Sequence, residues 1–133
     1  KKSDNLVTAV LGALKAGFCA APISYDWPVE RIANALSLME TFLLIGEAST
    51  CLEQISIEEL ISAKNSQSKR LMTIAPEDLM YITFTSGTTG SPKCVCTPGD
   101  GMANLITNYT REYCVAHHSR IYQVINYSFD IFF

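Results

Sequence analysis

Seven consecutive residues, Thr85 to Ser91, are all Ser, Thr or Gly, and they interrupt a chain that is apolar from Leu79 onward and resumes with Pro92 and Lys93. A strand that ends in such a run delivers a small, flexible, hydroxyl-rich loop to one edge of a sheet. Glycines at 87 and 90 permit tight turns and close backbone approach. Successive backbone N–H groups in a turn of this kind form an anion-binding nest. The hydroxyls of Thr85, Ser86, Thr88, Thr89 and Ser91 add donors, and Lys93 adds a positive charge. The run is not a Walker A motif, because Ser91 and Pro92 stand where that pattern needs Lys and Ser/Thr, and it is not GxGxxG. On composition alone it is either a phosphate-binding loop or an ordinary surface turn.

Around the loop, helical and strand patterns alternate. Leu6, Val7, Val10, Leu11 and Leu14 recur at helical spacing, with Ser3 or Asp4 as N-cap and Gly17 as stop. A short strand through Phe18–Ala21 ends at Pro22. A second helix begins near Pro28, with Val29, Ile32, Leu36 and Met39 on one side. Phe42–Ile45 reads as a buried strand turned by Gly46. Ser56 and Glu59 have capping-box spacing ahead of a brief helix, and Asn65–Arg70 reads as a surface loop. Strands are predicted at Leu79–Thr85, Cys94–Thr97 and Ile121–Ile125, with a helix within Met102–Glu112. This alternation predicts an α/β fold in which helices layer on a mostly parallel sheet.

The totals narrow the choice. With 133 residues, 48% of them hydrophobic and 17% charged, the chain can bury a core and is not a disordered tail. Net charge is −3, with no basic cluster beyond Lys69–Arg70, which argues against nucleic-acid binding. No apolar run is long enough for a membrane-spanning helix. The five cysteines form an odd set without CxxC, which reads as reduced thiols in a cytoplasmic protein. The sequons at Asn108 and Asn126 are motifs short enough to arise by chance, and the chain starts with no signal-peptide pattern. Both ends look cut, with Lys1–Lys2 leading almost at once into a helix and YSFDIFF closing the chain, so a piece of a larger domain is expected.

Four stretches, in order, carry a resemblance. FTSGTTGSPK resembles the signature loop of the adenylate-forming superfamily, close to YTSGTTGxPKG. LKAGFCAAPISYDWP, from Leu14 to Pro28, resembles the LKAGxAYxPxD motif of amino-acid-activating domains, and Arg31 fits the segment after it. Asp78-Leu-Met-Tyr81 resembles the DLAY that leads into the signature strand, and Tyr127-Ser-Phe-Asp-Ile131 resembles FDxS. The chain is similar to the N-terminal domain of the adenylation domains of nonribosomal peptide synthetases. By that likeness, residues 1–133 are part of that domain, without its remainder and without the C-terminal lid.

The resemblance implies roles residue by residue. Thr85, Ser86, Gly87, Thr88, Thr89 and Gly90 would wrap the β- and γ-phosphates of ATP while a carboxylate attacks the α-phosphate. Lys93 matches the signature lysine and is the candidate catalytic residue here, distinct from the family's catalytic lysine near the far C-terminus of the full enzyme; a solvated lysine after a turn is the lesser alternative. Asp130 would pair with the α-ammonium of an amino-acid substrate, or else start a turn or cap. Mg²⁺ is implied as cofactor, with ligands beyond Phe133. The implied partners are an amino acid and a phosphopantetheinylated carrier protein. Three positions depart from the pattern: Cys94 replaces a glycine, Gly99 a histidine and Phe132 a small serine.

Other candidates are weaker. His117 and His118 are adjacent and expected to point apart, so zinc is disfavoured. Cys94 and Cys96, two apart, share one face of a strand but lack sensibly spaced partner ligands. Ser86 has no His–Asp support as a nucleophile. The leading reading is an ATP-dependent amino-acid-activating enzyme whose fragment is inactive alone. The rivals are an acyl- or aryl-CoA ligase of the same superfamily and a degenerate, non-catalytic copy.

Overall fold

An antiparallel ladder dominates the computed structural model, which describes residues 4–40, 43–46, 54–63, 72–86 and 92–129. Strand β3 (Leu79–Ser86) pairs with β4 (Pro92–Pro98) from Tyr81↔Thr97 to Ser86↔Pro92, with one irregularity next to Leu79. β4 is longer at both ends than its apolar residues alone indicate. Its prolines sit at the first and last positions of the strand, where a missing N–H is tolerated.

On the other side of β3, Ala20 forms a single parallel bridge to Tyr81. The Ala20 N–H donates to the Met80 carbonyl at 2.9 Å, and the Ile82 N–H donates to the Ala20 carbonyl at 2.8 Å. The strand expected over Phe18–Ala21 is therefore reduced to one residue. The reason is chemical: the next position facing β3 along the chain is Pro22, which has no N–H to continue the ladder. A second parallel pair joins β1 (Leu44–Ile45) to β2 (Gln54–Ile55). Gly46 turns out of β1 at φ 114°, and its N–H donates to the Ile55 carbonyl. Helices and parallel pairings reached through intervening chain give the expected α/β class. The antiparallel hairpin is its local exception.

The described residues include four helices. Helix α1 (Asp4–Lys15) stops where glycine predicts. Gly17 takes φ 82°, its N–H donates to the Leu14 carbonyl, and the Phe18 N–H donates to the Ala13 carbonyl. That pair of bonds is the Schellman closure, which needs a left-handed residue and so favours glycine. Helix α2 (Val29–Leu36) buries Ile32, Ala35 and Leu36 and packs on β4. Met39 lies beyond its end, and Val29 stays exposed. Helix α3 (Ile57–Ser62) carries the expected capping box: the Glu59 N–H donates to Ser56 Oγ at 3.1 Å, and the Ser56 N–H donates to Glu59 Oε2 at 2.9 Å. Helix α4 (Gly99–Glu112) packs on β3 and β4. It begins three residues before Met102 because the Gly99 and Asp100 N–H groups bond the Asp78 and Pro76 carbonyls, which satisfies its open end.

One predicted strand is missing altogether. Ile121–Ile125 is not a strand but chain without regular structure, with Ile121, Tyr122 and Val124 well exposed. Periodicity marks a segment that suits a sheet, yet a strand needs a neighbour to bond, and no described strand lies beside it. The expected loop at Asn65–Arg70 and the position of Phe42 lie outside the described residues.

The chain beyond that segment is anchored by polar groups. Tyr127 and Ser128 are buried, as is Ser24. The Tyr25 N–H donates to the Tyr127 hydroxyl at 3.1 Å, Asn126 Nδ2 approaches Ser24 Oγ at 3.4 Å, and Asn126 Oδ1 accepts from the Ser128 N–H and hydroxyl. A buried donor left without an acceptor costs about 1–3 kcal/mol. Tyr127→Phe should therefore cost residues 22–28 about that much of their exchange protection. Hydrogen–deuterium exchange of peptides from that loop, compared with peptides from α4 as internal control, checks it.

Candidate active site

The alternation of β3 and β4 sorts the site into two faces. Ile82 and Phe84 lie on one face with their partners Cys96 and Cys94, while Thr83 and Thr85 lie on the other with Val95 and Lys93. Thr85 and Lys93 are thus directly opposite one another at the open end of the ladder, one hydroxyl and one ammonium on the same side. Both are exposed. Ser86 and Pro92 close the ladder, so the two ends of the Gly87–Ser91 segment start from adjacent points.

Behind Phe84 stands an aromatic brace. The Trp27 ring meets Phe84 edge-on, with centroids 6.1 Å apart, and Arg31 Cζ lies 4.1 Å over the Trp27 ring. The edge-on contact and the cation–π contact each contribute about 0.5–1.5 kcal/mol. Together they fix the Tyr25–Pro28 turn against the strand that carries Thr85. Arg31 stands out in the sequence through its motif, whereas the role of Trp27 emerges only in three dimensions. Its one signal was the i, i+4 spacing of Trp27 and Arg31 across the start of a helix.

The thiols gather on the opposite face from Lys93. Cys94 and Cys96 share it, as their spacing predicts, with Sγ atoms 3.9 Å apart. Burial, then hydrogen bonding to Cys96, raises the Cys94 thiol above its ordinary range. Burial, followed by the Cys96 and Cys94 thiols, pushes Cys19 up to about 11. Cys19 and Cys94 hold their protons at neutral pH and are poor nucleophiles.

Gly99 is closely enclosed. A Cβ built there would lie 3.2 Å from the Ala75 carbonyl oxygen, 3.5 Å from that of Pro76 and 3.6 Å from that of Asp78. The carbonyls of Pro76 and Asp78 also hold the start of α4. A side chain at this position must push the 75–78 segment aside.

The whole chain, residues 1–133, matches the family model for AMP-binding enzymes. It is 33% identical over 136 residues to tyrocidine synthase 2 of Brevibacillus parabrevis, covering 98% of this chain and 4% of that protein. It is likewise 33% identical over 135 residues to bacitracin synthase 3 of Bacillus licheniformis, covering 97% of this chain and 2% of that protein. Among solved structures it is similar to the Klebsiella oxytoca NpsA N-terminal subdomain in complex with 3-hydroxyanthranilyl-AMSN. That match has a TM-score of 0.67 and 29% identity, covering 77% of this chain and 27% of the other. The fold of McyG A-PCP complexed with phenylalanyl-adenylate also matches, with a TM-score of 0.71 and 21% identity, covering 86% of this chain and 24% of that one. The chain belongs to the AMP-binding enzyme family. Within the adenylate-forming superfamily it is similar to the N-terminal subdomain of nonribosomal peptide synthetase adenylation domains. It spans only 4% and 2% of the length of the two synthases.

In this member of the AMP-binding enzyme family, the described residues bring Thr85, Ser86 and Lys93 to the mouth of the β3–β4 ladder. Gly87, Thr88, Thr89 and Gly90 lie outside the described residues, and so does Asp130. The chain leading to Asp130 is nonetheless held at Tyr127 and Ser128 against the Ser24–Tyr25 turn. His117 and His118 do not point apart: their rings meet edge-on at 5.6 Å. They sit in a turn, where the alternation of a strand does not apply. Among the described residues no three metal-type side chains stand close enough to hold an ion, and no helix is long and apolar enough to cross a membrane.

Two outcomes follow from this geometry. Gly99→Ala should lower stability by about 1–3 kcal/mol, since backbone rather than a flexible side chain must move. A shift in the thermal midpoint of the full-length protein relative to wild type checks it. Cys19 gives the second. An unfolded thiol releases its proton near 9.0, while the folded one holds it to about 11. Its contribution to stability is therefore whole below pH 9 and lost as pH rises through about 11. Denaturant midpoints across that window should fall less steeply in Cys19→Ala than in wild type.

Proposed function

We propose that this chain is part of the large N-terminal domain of an ATP-dependent amino-acid-activating enzyme. In that reaction a carboxylate oxygen attacks the α-phosphorus of ATP, the bond to the β-phosphate oxygen breaks, and aminoacyl-AMP and pyrophosphate result. The aminoacyl group then passes to the phosphopantetheine thiol of a carrier protein. The observation that supports the reading is the β3–β4 ladder that flanks the signature run in sequence and sets Thr85 and Lys93 on the same side. The similarity to peptide synthases supports it.

The roles follow from donor chemistry. Hydroxyls and backbone N–H groups of Thr85, Ser86, Gly87, Thr88, Thr89 and Gly90 would hold the β- and γ-phosphates, and Lys93 would bring a positive charge to the charge that grows there. Closure of such a loop on ATP excludes water, and its opening releases pyrophosphate. Asp130 would receive the substrate ammonium, a charge pairing that a carboxylate in an apolar sequence context suits. Mg²⁺ accompanies ATP in this chemistry, but the described residues offer no metal-ligand set. Its ligands, the rest of the domain and the lid are assigned to sequence outside residues 1–133. We place the enzyme in the cytoplasm, and the fragment alone is inactive on this reading.

A second reading has one observation in its favour. NpsA, the similar Klebsiella structure, holds 3-hydroxyanthranilyl-AMSN, an aryl-acyl analogue. An aryl-acid activator or ligase of the same superfamily would have no ammonium for Asp130 to meet.

Exchange of labelled pyrophosphate into ATP by the full-length protein separates them. Exchange dependent on amino acids, lost in Asp130→Ala and reduced about a hundredfold in Lys93→Ala, is the expected result. Exchange with aryl acids alone, unaffected by Asp130→Ala, would replace the amino-acid reading with the second. Absence of exchange with any acid, in folded protein with ATP and Mg²⁺, would leave a degenerate copy.

A further inference from the structure

We infer that Cys94 and Cys96 form a two-thiolate chelate for a soft, thiophilic d¹⁰ cation of the Cu(I) class, set on the strand that carries Lys93. The two Sγ atoms stand 3.9 Å apart on one face of β4. A soft metal–thiolate bond is about 2.3 Å long, so two sulfurs on one ion are about 3.8 Å apart when bent at the tetrahedral angle and about 4.6 Å apart when linear. The observed distance falls inside that range with no movement of the backbone.

The obvious alternative, a disulfide, does not fit the same strand. It needs sulfurs about 2.05 Å apart and Cβ atoms about 3.8 Å apart. Same-face neighbours on an extended strand repeat every two residues, roughly 6.6 Å. Closing a disulfide would have to buckle β4 within its paired stretch, where Cys94 is opposite Phe84 and Cys96 opposite Ile82. An ion bridges the thiols and leaves the ladder intact.

The surroundings favour a soft cation. Thiolates select Cu(I) and similar ions over Mg²⁺ or Ca²⁺. Cys96 is exposed and gives the ion its route of entry, whereas Cys94 is half-buried beside Phe84, itself buried. A further sulfur nearby is that of Cys19, whose protonation responds to both thiols. It does not complete a three-ligand set among the described residues, so the pair supplies two sulfur ligands in a bent arrangement and leaves the ion's remaining position to solvent. Binding is balanced as two thiols plus Cu(I) giving a dithiolate–Cu(I) centre and two released protons, with no change of oxidation state.

The site stands apart from the proposed nucleotide loop. Cys94 and Cys96 lie on the face opposite Lys93 and Thr85, so its test does not depend on adenylation. The probe is Cu(I) itself, supplied anaerobically as its bicinchoninate complex to the full-length protein and read by loss of the coloured complex. The expected result is that Cys94→Ser/Cys96→Ser binds one equivalent fewer than wild type, while Cys114→Ser loses none. X-ray absorption at the copper edge of the wild type should include a centre with two sulfur neighbours that the double variant lacks. Cys96→Ser alone, at an exposed position, should also lose the equivalent and guards against a folding defect in the double variant. Equal copper uptake by wild type and both variants would overturn the proposal. So would quantitative recovery of a Cys94–Cys96 disulfide after mild treatment with oxidised glutathione, since it would show that the strand buckles readily.

Discussion

The register of β3 against β4 is the constraint on which the rest depends. Pairing Thr85 with Lys93 and Ser86 with Pro92 puts a hydroxyl and an ammonium side by side at one end of the ladder. A slip of one residue would carry Lys93 to the thiol face and move Cys94 to the face of Thr85. The register is held from three directions. Helix α2 packs on β4, helix α4 packs on both strands, and Ala20 bonds the far edge of β3. Phe84 adds specificity because its ring fits an aromatic partner, Trp27, that Arg31 holds in place. This arrangement fixes the two points, Ser86 and Pro92, between which the run from 87 to 91 is strung.

Much of this was legible in the chain because the signals were local. Gly17 ends α1 through bonds that span six residues, and Ser56 and Glu59 cap α3 through bonds that span four. The same-face relation of Cys94 and Cys96 follows from strand alternation alone. What failed was non-local. Phe18–Ala21 had strand composition, but Pro22 removed the donor needed for a second ladder position. Ile121–Ile125 had the composition too, without a described neighbour to pair with. His117 and His118 meet because a turn, not a strand, carries them. The polar network that ties Asn126–Ser128 to Ser24–Tyr25 joins positions about a hundred residues apart, and no pattern within either segment announces it.

The two departures from the family pattern that fall within the described residues have different structural characters. Cys94, where glycine is usual, needs no special backbone. It lies in a regular strand, half-buried opposite Phe84, and its side chain projects away from Lys93. The extra atoms therefore occupy space on the thiol face of the sheet rather than at the mouth of the loop. Gly99, where histidine is usual, is a substitution in the opposite sense. The carbonyls of residues 75–78 have closed over it, and two of them also cap α4. A histidine could not be restored there without opening that cap.

These two observations bear on how the chain could still serve an AMP-binding enzyme. At Gly99 the backbone itself makes a joint, its N–H and that of Asp100 bonding the segment leading into β3 to the helix leaving β4. That joint stiffens the base of the same ladder whose mouth bears Thr85 and Lys93. Phosphate binding depends on many donors acting together, each contributing a share of the charge stabilisation. The donor run from Thr85 to Ser91 is kept in this sequence, even with one neighbouring group absent. What the sequence and the fold supply together is therefore a run of seven small polar residues and a lysine whose flanking strands are held in register by two helices and Ala20.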